Sequence, residues 1–200
     1  TSSQSAEVHI TYSSHVNSAY RSVQRRKVAW AAHISLPPNI MSQVSKACCS
    51  IPPVKTDYQP KGSMEKVAGA QELKKNGAEK LGLYGLCWGG KITSLAGYEG
   101  TLFSGVAIVH PAMVNGEDSK GLTVPVAFFP SKDEPRDESD KYWENFQKSH
   151  PELVEKSTYH YYDNMFHGFG AARANLKDEA NRVAAEDLYN RLANFFCGVF

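Results

Sequence analysis

The residues best suited to chemistry begin with Cys87, in Leu81-Gly82-Leu83-Tyr84-Gly85-Leu86-Cys87-Trp88-Gly89-Gly90, where a short apolar run stops at a cysteine flanked by small residues. Such a stretch predicts a nucleophile elbow, in which a buried strand reverses sharply into a helix and holds the nucleophile in a strained backbone conformation. Gly85 and Gly89, two residues to either side, lack the side chains that would collide with neighbouring backbone. A helix starting near Gly90-Lys91-Ile92 would aim its N-terminal amides at the sulfur and favour the thiolate, the reactive form. Two further residues could serve that thiolate, Asp133 in Pro130-Ser131-Lys132-Asp133-Glu134-Pro135 and His167 in Asn164-Met165-Phe166-His167-Gly168-Phe169. His167 would take the Cys87 proton, or hold the thiolate as an ion pair, and later protonate a leaving alcohol or activate water. Asp133 would fix the ring and stabilise its cation, with Glu134 and Asp137 close enough in sequence to be confused with it. The oxyanion of an attacked acyl group would lie near the backbone amide of Trp88, the residue after the nucleophile. A buried structural cysteine and a redox-sensing Cys87 are the competing readings of the same motif.

These residues need a scaffold, and the hydrophobic pattern supplies one. The run ending at Leu86 is the first clear strand, and residues 103–109 and 123–129 are apolar without alternation, as in strands covered on both faces of a parallel sheet. Residues 157–162, aromatic and β-branched, predict a third strand after the elbow strand. Between them the spacing predicts helices over residues 71–80, with Asn76-Gly77 as a stop, over 91–98, and over 134–148, where Tyr142, Trp143 and Phe146 form a core-facing stripe. The last helix has the clearest stripe, Leu176, Ala180, Val183, Ala184, Leu188, Leu192, Phe195 and Phe196, with Asp178 and Glu179 favouring its N-terminal end. Alternating strands and helices predict an α/β fold with a parallel sheet and flanking helices. Reactive loops of such a sheet lie beyond the carboxyl ends of the strands, where Cys87, Asp133 and His167 all fall. His110-Pro111 also follows a strand end and is read as packing or pocket wall.

Composition narrows the function classes. Of the 200 residues 42% are hydrophobic and 22% charged, and a net charge of +1 creates no field that would recruit nucleic acid or an anionic membrane. No stretch is apolar enough to span a bilayer. The four cysteines show neither zinc-site spacing nor the density of a disulfide scaffold, so no metal is expected and a reducing compartment, the cytoplasm, fits them best. The adjacent Cys48 and Cys49 are read as structural, since neighbouring cysteines are strained as a disulfide. Residues 1–17 are rich in Ser and Thr and are read as mostly disordered. Residues 1–40 as a whole are expected to be a disordered or spurious extension, with the domain itself spanning 41–200. A Ser-rich, Arg-containing, acid-poor leader also fits a mitochondrial transit peptide. Residues 41–69 are Pro-punctuated and read as an ordered surface arm.

The chain order Cys87, Asp133, His167 matches nucleophile, acid, base in α/β-hydrolases and differs from the orders of chymotrypsin-like and subtilisin-like enzymes. More specifically, Gly-Leu-Cys-Trp-Gly-Gly at the elbow, Ser-Lys-Asp-Glu-Pro at the acid and His-Gly-Phe followed by Ala-Ala-Arg and a long final helix resemble the dienelactone hydrolases. The opening Cys-Cys-Ser-Ile-Pro-Pro-Val is similar to the fungal branch of that family. The resemblance, over residues 41–196, implies an α/β-hydrolase fold, a triad of Cys87, Asp133 and His167, and cofactor-free hydrolysis of cyclic or enol esters. A small-molecule ester or lactone is then the expected partner, with Arg173 matching a family arginine that meets a substrate carboxylate. The resemblance also implies a departure: family members carry several strand and helix units between the N-terminal arm and the elbow, whereas Val67-Ala68-Gly69 runs almost at once into Gln71-Glu72-Leu73-Lys74. About eighty residues are expected to be missing there, with the loop that gives a second oxyanion amide. A catalytically silent binding protein or truncated isoform of the same fold is the alternative expectation.

Overall fold

The computed structural model describes residues 7–13, 33–34, 68–75, 78–171 and 173–200. Expectations for Cys48, Cys49 and the arm before residue 68 lie outside the described residues. The sheet has six strands: β1 (Glu7–Ser13), β2 (His33–Ile34), β3 (Lys80–Leu86), β4 (Gly105–Val109), β5 (Val126–Phe129) and β6 (Thr158–Tyr159). Their spatial order is β2-β1-β3-β4-β5-β6, in which β3 to β6 run parallel and β1 and β2 are antiparallel additions at one edge. Among the described residues four α-helices accompany them: α1 (Ala68–Lys75), α2 (Trp88–Ala96), α3 (Arg136–Ser149) and α4 (Glu179–Val199).

The central strands are apolar throughout because both faces are covered, and period-2 geometry divides their side chains between two cores. Leu81 and Leu83 of β3, Val106 and Ile108 of β4, and Val126 and Phe128 of β5 point to one side, where they meet Ala96 of α2 and Tyr142 and Phe146 of α3. Tyr84, Leu86, Ala107, Val109, Ala127 and Phe129 point to the other, against Leu188, Leu192, Phe195 and Phe196 of α4. The expected aromatic stripe on α3 is core packing: Tyr142 and Phe146 are buried, and Trp143 stacks on Phe146 and Tyr159.

Three expectations change. Residues 7–13, read as disordered, form a strand whose seven residues pair with β3 from Glu7↔Leu86 to Ser13↔Lys80. Val8, Ile10 and Tyr12 do alternate with polar residues, a period-2 signal too short to stand out in a Ser/Thr-rich leader. The strand expected over 157–162 is reduced to two residues plus a bridge between Ser131 and Tyr162. The stripe on α4 loses three members: Leu176 precedes the helix and is 60% exposed, Ala180 is exposed, and Val183 is 50% exposed. The helix starts at Glu179 because the Asp178 carboxylate caps it, accepting the Asn181 N–H at 2.8 Å.

Removing a ring from the α4 core should therefore cost far more than trimming its outer face. Phe196→Ala should destabilise by about 3–5 kcal/mol, whereas Val183→Ala should change stability by no more than about 0.5 kcal/mol. Urea denaturation of both variants measures the contrast.

Candidate functional site

Cys87 stands alone between the last residue of β3 and the first of α2, with φ 57° and ψ −123°. A left-handed φ at a non-glycine residue stores about 1–3 kcal/mol and persists only where neighbours over-determine it. Here the backbone does so. The Cys87 N–H donates to the Val109 carbonyl at 3.2 Å, and the Cys87 carbonyl accepts from Gly90 N–H at 3.0 Å and from Ala112 N–H at 2.9 Å. The glycines are required by contact: a Cβ on Gly85 would stand 2.1 Å from the Gly89 carbonyl oxygen, and one on Gly90 would stand 2.8 Å from Pro111 Cβ. The sequence singled out Gly85 and Gly89; Gly90 joins them because α2 crosses the loop after β4. Cys87 is 7% exposed, and the N-terminal turn of α2, which contains no acidic residue, follows it directly. Trp88 opens that helix, so its amide is the next backbone N–H after the sulfur-bearing residue.

Strand register brings the other residues to the same edge. Leu86 pairs with Val109 and Val109 with Phe129, so Cys87, His110 and Pro130 leave the sheet abreast. The loops after β5 and β6 are then laced together by the Ser131–Tyr162 bridge and by the Lys132 N–H donating to the Met165 carbonyl at 3.0 Å. That lacing presents residues 133 and 134 to His167.

The carboxylate that meets the His167 ring is not the expected one. Glu134 Oε1 lies 2.6 Å from His167 Nδ1, while Oε2 of the same carboxylate accepts the Ser131 N–H. The Asp133 carboxylate instead accepts the backbone N–H of His167, Oδ2 to N at 2.8 Å, and Asp133 is exposed. The assignment of Asp133 to the ring is corrected accordingly. The turn closed by the Glu134 N–H and the Ser131 carbonyl (3.1 Å) points residue 134 inward and residue 133 outward, and the Tyr161 hydroxyl holds it by donating to the Glu134 carbonyl at 2.9 Å. Glu134 is 4% exposed, so its charge depends on these bonds. With Nδ1 committed to the carboxylate, Nε2 is the His167 nitrogen left for proton transfer.

Arg173 and His110 border the pair. Arg173 donates to the His167 carbonyl at 2.9 Å, and its guanidinium lies 5.3 Å from the centre of the Phe166 ring. It is exposed, and its aliphatic stem covers Gly168, whose φ of +89° turns the loop. His110 is fully buried, its ring centroid 5.1 Å from that of His167 and 5.8 Å from that of Phe169. Burial holds its pKa down to about 3, with smaller contributions in the same direction from His167 and Arg173. It is thus a neutral imidazole against the histidine of the site. The expectation of a pocket-wall role for His110 understated this contact, for which a histidine directly after a strand end was the only sequence signal. Among the described residues no group of three or more His, Cys, Asp or Glu could hold a metal ion, and no helix is long and apolar enough to cross a membrane.

Comparisons with known proteins bear on the family and the fold. Residues 51–200 match the model of the dienelactone hydrolase family. Two uncharacterized AIM2 family proteins of Schizosaccharomyces pombe are similar, one 37% identical over 117 residues (58% of this chain, 45% of the relative) and the other 35% identical over 122 residues (60% and 48%). The aligned part thus spans about half the length of these curated relatives. Among solved structures, a candidate dienelactone hydrolase of Klebsiella pneumoniae superposes with a TM-score of 0.55 at 19% identity, covering 66% of this chain and 59% of that one. The sheet, the helices and this likeness establish an α/β-hydrolase fold, and the partial coverage is consistent with an incomplete one.

Two outcomes follow from the geometry. In alkylation by iodoacetamide near pH 6, followed at the Cys87 peptide by mass spectrometry, Glu134→Gln should slow the reaction by about tenfold, one pKa unit. Asp133→Asn, which touches only backbone, should change it by no more than about twofold. His110 also ties stability to pH. Folded, it takes a proton only near pH 3; unfolded, it does so near its ordinary value of about 6.5. The unfolded chain binds the extra proton between these values, so stability falls as pH drops through 6.5 toward 3. Denaturation midpoints at pH 7 and pH 5 should show that fall in the native chain and a smaller one in His110→Leu.

Proposed function

The chain belongs to the dienelactone hydrolase family, and on that premise we propose that it is built to hydrolyse carboxylic esters or lactones with Cys87 as nucleophile. The observation that carries this reading is the 2.6 Å Glu134–His167 pair at the sheet edge where Cys87 leaves its strand. His167 Nε2 takes the thiol proton, and the thiolate attacks the acyl carbon, forming a C–S bond while the carbonyl electrons move to oxygen. The Trp88 amide faces the developing oxyanion. Collapse of the intermediate expels the alcohol oxygen, which takes the proton from His167, and leaves a thioester on Cys87. His167 then removes a proton from water, which attacks the thioester; the acid departs and the thiol is restored. Glu134 stabilises the imidazolium in both halves of the cycle, and Asp133 fixes the His167 backbone. No cofactor enters this sequence of steps.

Arg173 is the residue we assign to a substrate carboxylate. One of its N–H groups is committed to the His167 carbonyl, and a guanidinium has five, so donors remain for a planar bidentate partner. A thiolate nucleophile also suits the reducing cytoplasm expected from the cysteine usage.

Turnover should be weak. The loop expected to give a second oxyanion amide belongs to the units that the family resemblance implies are missing before the elbow strand, and loss of one such donor costs about a hundredfold to a thousandfold. On the same lactone or aryl ester, a full-length relative should therefore exceed this chain by at least about a hundredfold. Cys87→Ala should abolish activity in this chain, as should the matching change in the relative. Equal rates in the two proteins would remove the argument about the oxyanion site, and undiminished hydrolysis by Cys87→Ala would remove the proposed nucleophile.

A further inference from the structure

His110 is the buried polar group that the proposed chemistry leaves unused. Among the described residues neither of its ring nitrogens has a hydrogen-bond partner, although the ring is fully buried. Leaving one such group unpaired costs about 1–3 kcal/mol, so an apolar side chain would suit the packing better. The backbone is also held at an uncommon φ of 31°. Its N–H donates to the Phe129 carbonyl at 2.8 Å, and two residues later the Ala112 N–H grips the Cys87 carbonyl at 2.9 Å. The turn that carries the ring is thus anchored both to β5 and to the nucleophile.

We propose that His110 is a positioning residue for the Cys87–His167 pair, a neutral imidazole packed across the His167 ring that fixes its plane and favours its protonated form. The proposal rests on the hydrolase reading above and adds a residue to it. A centroid separation of 5.1 Å with a 62° interplanar angle is the T-shaped contact that aromatic rings prefer. A neutral ring offers an adjacent cation an electron-rich face at a distance within reach of cation–π attraction, whereas a protonated one would repel it. The charged and titratable groups around it are His167 and Arg173 in the loop after β6, Glu134 behind His167, and Cys87 at the neighbouring strand end. Phe169 and, beyond Gly170, Leu188 of α4 close the apolar side. Burial first, and then His167 and Arg173, disfavour a charge on His110, which agrees with its depressed pKa.

The test is the pH dependence of Cys87 alkylation, which needs no ester turnover. Wild type should alkylate readily near pH 6, and His167→Ala should lose that low-pH reactivity; if it does not, the Cys87–His167 pairing itself fails. Given that loss, His110→Leu should raise the apparent Cys87 pKa by about one unit, slowing alkylation near pH 6 by about tenfold, and His110→Phe, which keeps a ring, should recover most of the rate. Leu and Phe variants that both react like wild type, or that are both equally slow, overturn the inference while leaving the pairing intact. In wild-type protein, NMR titration of the ring protons gives a second reading independent of how the variants fold. His110 should stay neutral at pH 5, and its protonation near pH 6 overturns the proposal.

Discussion

The site depends on one junction of backbone, the left-handed Cys87 between β3 and α2. Its conformation is unfavourable alone and is imposed by the Val109 carbonyl and the Gly90 and Ala112 amides, with Gly85 admitting the Gly89 carbonyl at a distance that no Cβ would allow. Because those bonds run to the end of β4, the elbow is tied to the neighbouring strand and to the loop that carries His110. The backbone of Cys87 is therefore positioned by the sheet itself. Rigid elements of this kind hold a catalytic group more tightly than a loop can.

Two adjacent carboxylates divide the work on His167. Asp133 holds the backbone from the exposed side and Glu134 holds the ring from the buried side. The division follows from solvent. A carboxylate in water loses most of its attraction to a nearby cation through screening, whereas a buried one interacts more strongly but must have its oxygens satisfied. Glu134 meets that condition with one oxygen on the ring and the other on the Ser131 amide.

Besides its carboxylate partners, His167 has the buried His110 ring beside it. The His110 ring packs against that of His167 on one side and that of Phe169 on another, and Arg173 adds to the electrostatic cost of a charge on His110. The same face is underlain by α4, whose Phe195, Phe196, Leu188 and Leu192 fill the core beneath the site. The long final helix thus supports the floor on which the histidine loop rests, and the Asn181 side-chain amide extends that support by donating to the Phe169 carbonyl at 2.9 Å.

The amino-acid sequence determined by itself the features that short-range sterics and periodicity control. A cysteine between Gly85 and Gly89 after an apolar run can fold as few things other than a strand-to-helix elbow, and fully apolar runs at 105–109 and 126–129 need cover on both faces. The positions of Cys87 and His167 beyond strand ends were legible for the same reason. Three matters were settled only by the tertiary structure. Asp133 and Glu134 are chemically alike and adjacent, so the choice between them rests on which way the turn from Ser131 faces a histidine more than thirty residues away. The ring contact of His110 depends on two separate strand ends being brought abreast, which no local spacing encodes. The strand at Glu7–Ser13 exists because the edge of β3 offers it unpaired backbone groups, a partner more than sixty residues distant that a three-residue alternation could not announce.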